Sequence, residues 1–297
     1  MTSRNFVGAL LHPHAMRLGE PFIGSAALAA GALTRHALRT KCVALHHDVY
    51  IDRDTELTAV LRAKAAWLRS RGHGILAGFS AAALHGAKWI DASRPATIID
   101  SNRRRENGIS IWAVAIDDDE IQLIDGMRVT TPARTAVDLA CRYPIDTAVI
   151  AMDSLARTTR LKVPDIQLAA GRHPGRHGLK RALKAIELVD PGAESPRETR
   201  LRLLIVREGY PPPETQLAVC NEYGAFIAEV DMGWRDTKIA VQYEGSHHRT
   251  GEQFAKDIRI TREMMEADWI VIRVTLRDTD ATILRLLADA WARRAGR

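Results

Sequence analysis

Residues 226–245 read FIAEVDMGWRDTKIAVQYEG, and the alternation of apolar and polar side chains in them predicts a β-hairpin. We expect two strands, residues 226–234 and 239–245, joined by a short turn at residues 235–238. This hairpin lies near the middle of a predicted order of helix, strand, strand, helix, strand, helix. That order favours a mixed sheet flanked by helices, hence an α/β (α+β) fold.

The hairpin places four polar side chains where they can converge. Successive side chains of a strand point to opposite faces, so Glu229 and Asp231 share a face of the first strand, and Gln242 and Glu244 share a face of the second. Pairing of the two strands in a hairpin can bring these faces together. Clustered carboxylates repel one another unless a cation is present, and hard oxygen ligands suit Mg²⁺ or Mn²⁺. The alternative is a half-exposed hairpin with a polar outer face, and alternation alone does not choose between the two.

Two neighbouring segments can add groups to this cluster. Glu198 follows Ser195 and Pro196 at the start of a predicted helix over 195–209, where it can join the acids or serve only in a capping box. His247 and His248 follow the second strand, and His248 is the candidate general base. A histidine pair in a loop is also commonly just exposed.

A composition change after the turn at residues 190–192 predicts the main domain boundary, with a C-terminal domain at 191–297. Residues 25–51 show the order helix, turn, helix and β-rich piece, which is typical of a winged helix-turn-helix in a region spanning 1–55. Thr34 would cap the second helix, whose exposed face would present Arg35 and Arg39 to DNA. An ordinary αα-hairpin with solvated arginines fits the same pattern.

A basic stretch ends the middle region, which we place at 56–190. Residues 171–184 read GRHPGRHGLKRALK, with Arg172, Arg176, Lys180 and Lys184 at intervals of four. Any helix here would therefore have a basic face, which would bind DNA or would simply be solvated.

The composition is consistent with a nucleic-acid partner. Lys and Arg outnumber Asp and Glu by 42 to 36, the pI is about 9.4, and 46% of the residues are hydrophobic. Three scattered cysteines favour free thiols over a zinc ribbon. Neither a signal-peptide core nor a membrane span is recognisable, so we expect a cytoplasmic protein with no membrane partner.

The C-terminal part resembles the Vsr-like domains of the PD-(D/E)xK nuclease superfamily. The similarity covers about residues 195–276, through SPRETRLRLLIVREGYPPPETQ, AEVDMGW, IAVQYEGSHHR and DWIVIRVT in that order. It implies a restriction-endonuclease-like mixed sheet, with Asp231 and Glu244 as metal ligands and Glu198 beside them. Gln242 stands where a carboxylate is usual. The resemblance also implies that Arg259 and Arg262 lie near the DNA.

The N-terminal 190 residues resemble actinobacterial proteins that join an AbiEi-like antitoxin region to such a nuclease domain. The stretches GALTRHALRT, DVYI, LAGFSAAALHGA and VTTPARTAVDLA carry this similarity, which favours the winged-helix interpretation. We therefore expect a DNA-binding protein with a Mg²⁺- or Mn²⁺-dependent endonuclease domain. A homodimer partner or a cognate toxin is a further expectation. The alternative is a non-catalytic DNA-binding antitoxin or regulator with a degenerate nuclease fold, which Gln242 favours.

Overall fold

The computed structural model describes residues 19–244 and 251–296, apart from the side chains of residues 251–255. The chain divides into two compact units, Met1–Glu187 and Leu188–Arg297, and both combine helices with sheets. The division falls close to the turn after which the composition changes. No helix within the described ranges is long and apolar enough to cross a membrane.

The first unit begins with two short helices and a hairpin. Its elements are β1 (Phe22–Ile23), α1 (Gly24–Ala29), α2 (Arg35–Lys41), β2 (Cys42–His46) and β3 (Val49–Asp52). β3 lies between β1 and β2 in an antiparallel three-stranded sheet. The Thr34 hydroxyl accepts a hydrogen bond from the Ala37 N–H, so the predicted cap is confirmed. The order helix, turn, helix, hairpin agrees with the sequence prediction.

The rest of the first unit is a five-stranded sheet with helices. The strands β4 (Ile75–Leu76), β5 (Ala96–Ile99), β6 (Ile109–Trp112), β7 (Ile121–Ile124) and β8 (Met127–Thr130) take the order β6-β5-β4-β8-β7. The helices are α3 (Ala59–Arg69), α4 (Gly78–Leu84), α5 (Pro132–Arg142), α6 (Ile145–Thr159), α7 (Val163–Gly171) and α8 (Leu179–Glu187). The Thr131 hydroxyl caps α5, and Pro132 occupies the first helical position.

The predicted boundary at residue 55 does not separate two compact units. α3 packs against all three strands of the N-terminal sheet, and Lys64 on α3 forms a 2.8 Å ion pair with Glu20. Residues 19–55 and 56–187 therefore fold largely together. The reason is that the short N-terminal sheet has too little apolar surface of its own and shares the buried face of α3.

The second unit is a four-stranded mixed sheet between helices. β9 (Glu214–Cys220), β10 (Phe226–Trp234), β11 (Ile239–Glu244) and β12 (Ile270–Thr275) take the order β12-β11-β10-β9. β11 and β12 are parallel, and α10 (Gly251–Glu266) supplies the crossover that a parallel pair requires. The other helices are α9 (Pro196–Arg207) and α11 (Asp280–Ala295).

Both faces of this sheet are buried. On one face, Leu201 and Ile205 of α9 and Leu287 of α11 pack against Met232 and Val241. On the other face, α10 contributes Met264 to a second cluster, in which Leu217, Val230 and Ala240 take part. The predicted hairpin and the helix predicted over 195–209 are present with nearly the expected bounds.

β9 is the strand that the sequence interpretation missed. It follows three prolines, residues 211–213, and only its second half alternates clearly between buried and exposed side chains. Proline cannot continue a ladder of backbone hydrogen bonds, so the segment reads locally as a loop. In the folded chain β9 completes the sheet beside β10 and brings Gln216 to the acidic site described below.

Candidate acidic site and basic surfaces

Asp231 lies where the hydrogen-bonded ladder between β10 and β11 ends. The paired residues run from Trp234 and Ile239 to Met232 and Val241. At the next position the Asp231 carboxylate accepts a hydrogen bond from the backbone N–H of Tyr243. A side chain thus replaces a backbone acceptor, which fixes the orientation of the carboxylate at the edge of the ladder.

The pKa of Asp231 is raised from its usual range to about 6. Burial of the carboxyl group is the largest cause, because a low dielectric disfavours the charged form. Negative charge on Glu198, Glu194 and Glu244 raises the pKa further, and the Tyr243 N–H opposes the rise. Asp231 is therefore the centre of a group of like charges, with the candidate acids Glu198 and Glu244 close enough to act on it.

Glu198 is buried, with 8% of its surface exposed, in the first turn of α9. Its carboxylate accepts hydrogen bonds from the Glu194 backbone N–H at 2.8 Å and from the Ser195 hydroxyl at 2.8 Å. The Gln216 side-chain amide donates a third, at 3.4 Å. The helix-capping role is thus present, and the same carboxylate also acts electrostatically on Asp231. The two interpretations of Glu198 are compatible.

Glu244 and Gln242 lie half-buried on β11, next to Arg273 of β12. The Arg273 guanidinium is 3.4 Å from the Glu244 carboxylate and donates a 2.6 Å hydrogen bond to the Thr261 hydroxyl of α10. Part of the negative charge of Glu244 is therefore balanced within the protein. Sequence reasoning missed Arg273, although it is the one charged residue in the apolar stretch IVIRVT.

The donor chemistry of this site suits a hard cation, but the described side chains do not form a finished ligand set. Within residues 19–244 and 256–296, no three His, Cys, Asp or Glu side chains are grouped to hold a metal ion. Glu198 is engaged in its cap and Glu244 is tied to Arg273. His247 and His248, and so the predicted base, lie outside the described residues.

The basic stretch at residues 171–184 does not form one helix face. Residues 172–178 link α7 to α8, and α8 begins at Leu179. Arg176 donates a hydrogen bond to Asp138, a fully buried carboxylate of α5 that also accepts from Arg134 at 3.2 Å. The expectation of a single solvent-facing basic row was therefore wrong for Arg176, because a buried carboxylate requires a cationic partner.

Arg172 is likewise engaged within the protein. Its guanidinium is 2.8 Å from the Asp119 carboxylate and 3.1 Å from that of Asp117. Lys180 and Lys184 are exposed on α8. Of the four basic residues at intervals of four, Lys180 and Lys184 are therefore the ones exposed on a helix face.

The other predicted DNA-contacting residues are exposed. Arg35 and Arg39 lie on α2, and Arg259 and Arg262 lie on α10. Arg259 is 71% exposed and 3.6 Å from the Glu263 carboxylate, a surface pair that constrains it little. All four arginines are accessible to a phosphate backbone.

The chain is similar to two Mycobacterium tuberculosis proteins, "Uncharacterized protein Rv2248" of strain H37Rv and "Uncharacterized protein MT2308" of strain CDC 1551. Each is 26% identical over 249 residues, which cover 83% of this chain and 90% of the relative. No protein-family model matches the chain. No solved structure matches it significantly. The similarity extends into both compact units, because neither unit alone has 249 residues.

Proposed function

We propose that this chain is a DNA-binding protein whose second unit hydrolyses phosphodiester bonds at a site centred on Asp231. The observation that carries the proposal is the pKa of Asp231, which is raised to about 6 among Glu198, Glu194 and Glu244. Repulsion between neighbouring carboxylates around a largely desolvated one costs stability, and strongly perturbed groups of this kind concentrate at functional sites. The resemblance to Vsr-like nuclease domains points to the same residues.

The chain's own residues have distinct parts in this proposal. The Tyr243 N–H orients the Asp231 carboxylate, and the capping hydrogen bonds hold Glu198 in one position behind it. Glu244 and Arg273 place a negative and a positive group side by side. A phosphate can therefore contact the Arg273 guanidinium, so it does not face carboxylates alone. When bound, Mg²⁺ or Mn²⁺ would neutralise phosphate charge and make water a better nucleophile.

Exposed cations on both units would hold the DNA. Arg35 and Arg39 on α2 occupy the position of a recognition helix if the first unit is a winged helix, and Lys180 and Lys184 offer phosphate contacts. On the second unit, Arg259 and Arg262 of α10 serve the same purpose. Contacts of this kind bind DNA regardless of sequence, and sequence preference would come from α2.

A second candidate is a non-catalytic DNA-binding regulator or antitoxin. Two observations favour it: Gln242 is neutral where an acid is usual in the resembled family, and Arg273 already balances Glu244. In this case the acidic group would be a structural remnant and the DNA-binding surface would be unchanged.

A plasmid-nicking assay with Mg²⁺ and with Mn²⁺ separates the candidates. We expect the wild type to nick supercoiled DNA and Asp231→Ala to lose nicking while retaining its fold and its DNA affinity. Asp236→Asn is the matched control, because Asp236 is an exposed acid in the turn of the same hairpin. Nicking by Asp231→Ala at the wild-type rate would remove Asp231 from the site. DNA binding without nicking in either metal would favour the regulator.

A further inference from the structure

A cleft in the first unit lies apart from every residue considered so far for DNA or metal. Its volume is about 280 Å³, and its walls come from β2, α3 and the segments that precede β5 and β6. The lining residues are Leu45, His46, Leu57, Arg62, Ala65, Ser93, Pro95, Asn107 and Gly108. The cleft therefore lies beneath the β2–β3 hairpin, where the N-terminal sheet meets α3.

Two nitrogen atoms of this lining are buried and unsatisfied. Among the residues that the structure describes, neither the Arg62 Nε nor the His46 Nδ1 has a hydrogen-bond partner. Unsatisfied buried polar atoms are few in native proteins, and each costs free energy unless a ligand or water meets it. Two such atoms in the lining of one cleft indicate that the cleft receives a polar group.

The charge of the lining indicates the sign of that group. Arg62 is a permanent cation, and none of the described lining residues carries a carboxylate. Two acids lie near the lining without being part of it: Glu106 forms a 2.8 Å ion pair with Arg69 and also acts electrostatically on His46, and Asp91 accepts a 2.8 Å hydrogen bond from the Ser93 N–H and lies near Arg62. The lining thus has a net positive charge and suits a singly charged anion.

The rest of the lining indicates the body of the ligand. Leu45, Leu57, Ala65 and Pro95 present aliphatic surface, so a compact inorganic anion would leave them in water. The volume lies just below the range of about 300–1,000 Å³ that is usual for drug-sized ligands. A short aliphatic chain fits this space.

We propose that this cleft binds a small aliphatic monocarboxylate, whose carboxylate pairs with Arg62 and whose chain packs against the leucine and proline side chains. A ligand held there touches both the hairpin and α3. Binding therefore stabilises the junction between the N-terminal sheet and the rest of the first unit. The proposal is independent of nuclease activity.

The test uses three probes with one chain length, hexanoate, hexanol and hexylamine, and the full-length protein with ¹³C-labelled histidine. The Cε1–H signal of His46 reports on the cleft and is assigned with His46→Gln. We expect hexanoate to shift this signal in a saturable titration. Hexanol should bind at least about tenfold more weakly, because it lacks the charge-assisted pair, and hexylamine weakest of all.

The matched variants are Arg62→Gln and Arg71→Gln, which remove the same charge. Arg71 is exposed beyond the end of α3 and does not line the cleft. Arg62→Gln should weaken hexanoate binding at least about tenfold, and Arg71→Gln should leave it unchanged. Arg62→Lys, which keeps the charge, should retain part of the affinity and serves if Arg62→Gln unfolds.

Three outcomes would overturn the proposal. An unmoved His46 signal at saturating hexanoate would mean that water alone fills the cleft. Equal affinities for hexanoate and hexanol would remove the role of charge. Equal effects of the Arg62 and Arg71 variants would mean that the acid binds elsewhere.

Discussion

Replacing Asp231 with asparagine should stabilise the second unit above pH 6, and the size of the effect follows from the pKa of that carboxyl. The pKa rises from 3.8 to about 6 on folding, roughly two pH units, and each unit corresponds to about 1.4 kcal/mol. A raised carboxyl pKa means that folding disfavours the charged form. The penalty is absent below the unfolded pKa, grows between pH 4 and 6, and reaches about 3 kcal/mol above that window.

Asparagine has no charge to desolvate, and its amide oxygen can still accept from the Tyr243 N–H. The difference in the free energy of unfolding between Asp231→Asn and the wild type should therefore change with pH. Between pH 4 and pH 7.5 it should shift by up to about 3 kcal/mol in favour of Asp231→Asn. Urea unfolding at several pH values measures this, with hydrogen exchange of the β10 and β11 backbone amides reporting on the second unit. Asp236→Asn, at an exposed position in the same hairpin, should show little pH-dependent gain.

A pH-independent difference between Asp231→Asn and the wild type would refute this reasoning, since it would mean that the carboxyl titrates normally in the folded chain. Saturating Mg²⁺ adds a second check on the same proteins. If the ion binds beside the ionised carboxylate, it stabilises the wild type and removes the advantage of asparagine. A persistent advantage in Mg²⁺ would count against Asp231 as a metal ligand.

The remaining predictions concern metal affinity, DNA binding and the buried ion pair. Gln242→Glu should raise Mg²⁺ affinity in calorimetry, because a charged oxygen binds the ion better than an amide, and weaker binding by a folded variant would place Gln242 away from the metal. The double variant Lys180→Glu, Lys184→Glu should weaken binding to all DNA sequences. It should also flatten the slope of log K against log salt by about 0.9 for each lost phosphate contact. An unchanged slope would mean that α8 is only a solvated surface. Arg176→Ala should destabilise the first unit by roughly 2–3 kcal/mol in thermal unfolding. This loss is smaller than that for a wholly unpaired buried charge, because Arg134 still contacts Asp138. An unchanged stability would mean that Arg176 is free to bind DNA.

The sequence by itself determined the local elements around the acidic site. Alternation predicted the observed bounds of β10 and those of β11 to within one residue. The signals at Thr34 and Ser195 predicted caps that the structure contains. These signals are local: a strand shows a period of two and a cap acts over three residues, so both can be read without knowing what packs against them.

Only the tertiary structure decided which charges meet. The parallel register of β11 and β12 sets Arg273 beside Gln242 and within reach of Glu244. The packing of the α7–α8 link on α5 joins Arg176 to Asp138, 38 residues away in the chain. The register between strands from distant segments depends on which faces of the sheet are buried. A buried carboxylate needs a cationic partner, and the tertiary fold decides which cation lies close enough to pair with it. Of the evenly spaced basic residues in the sequence, Arg176 therefore pairs with a buried carboxylate, and Lys180 and Lys184 remain exposed.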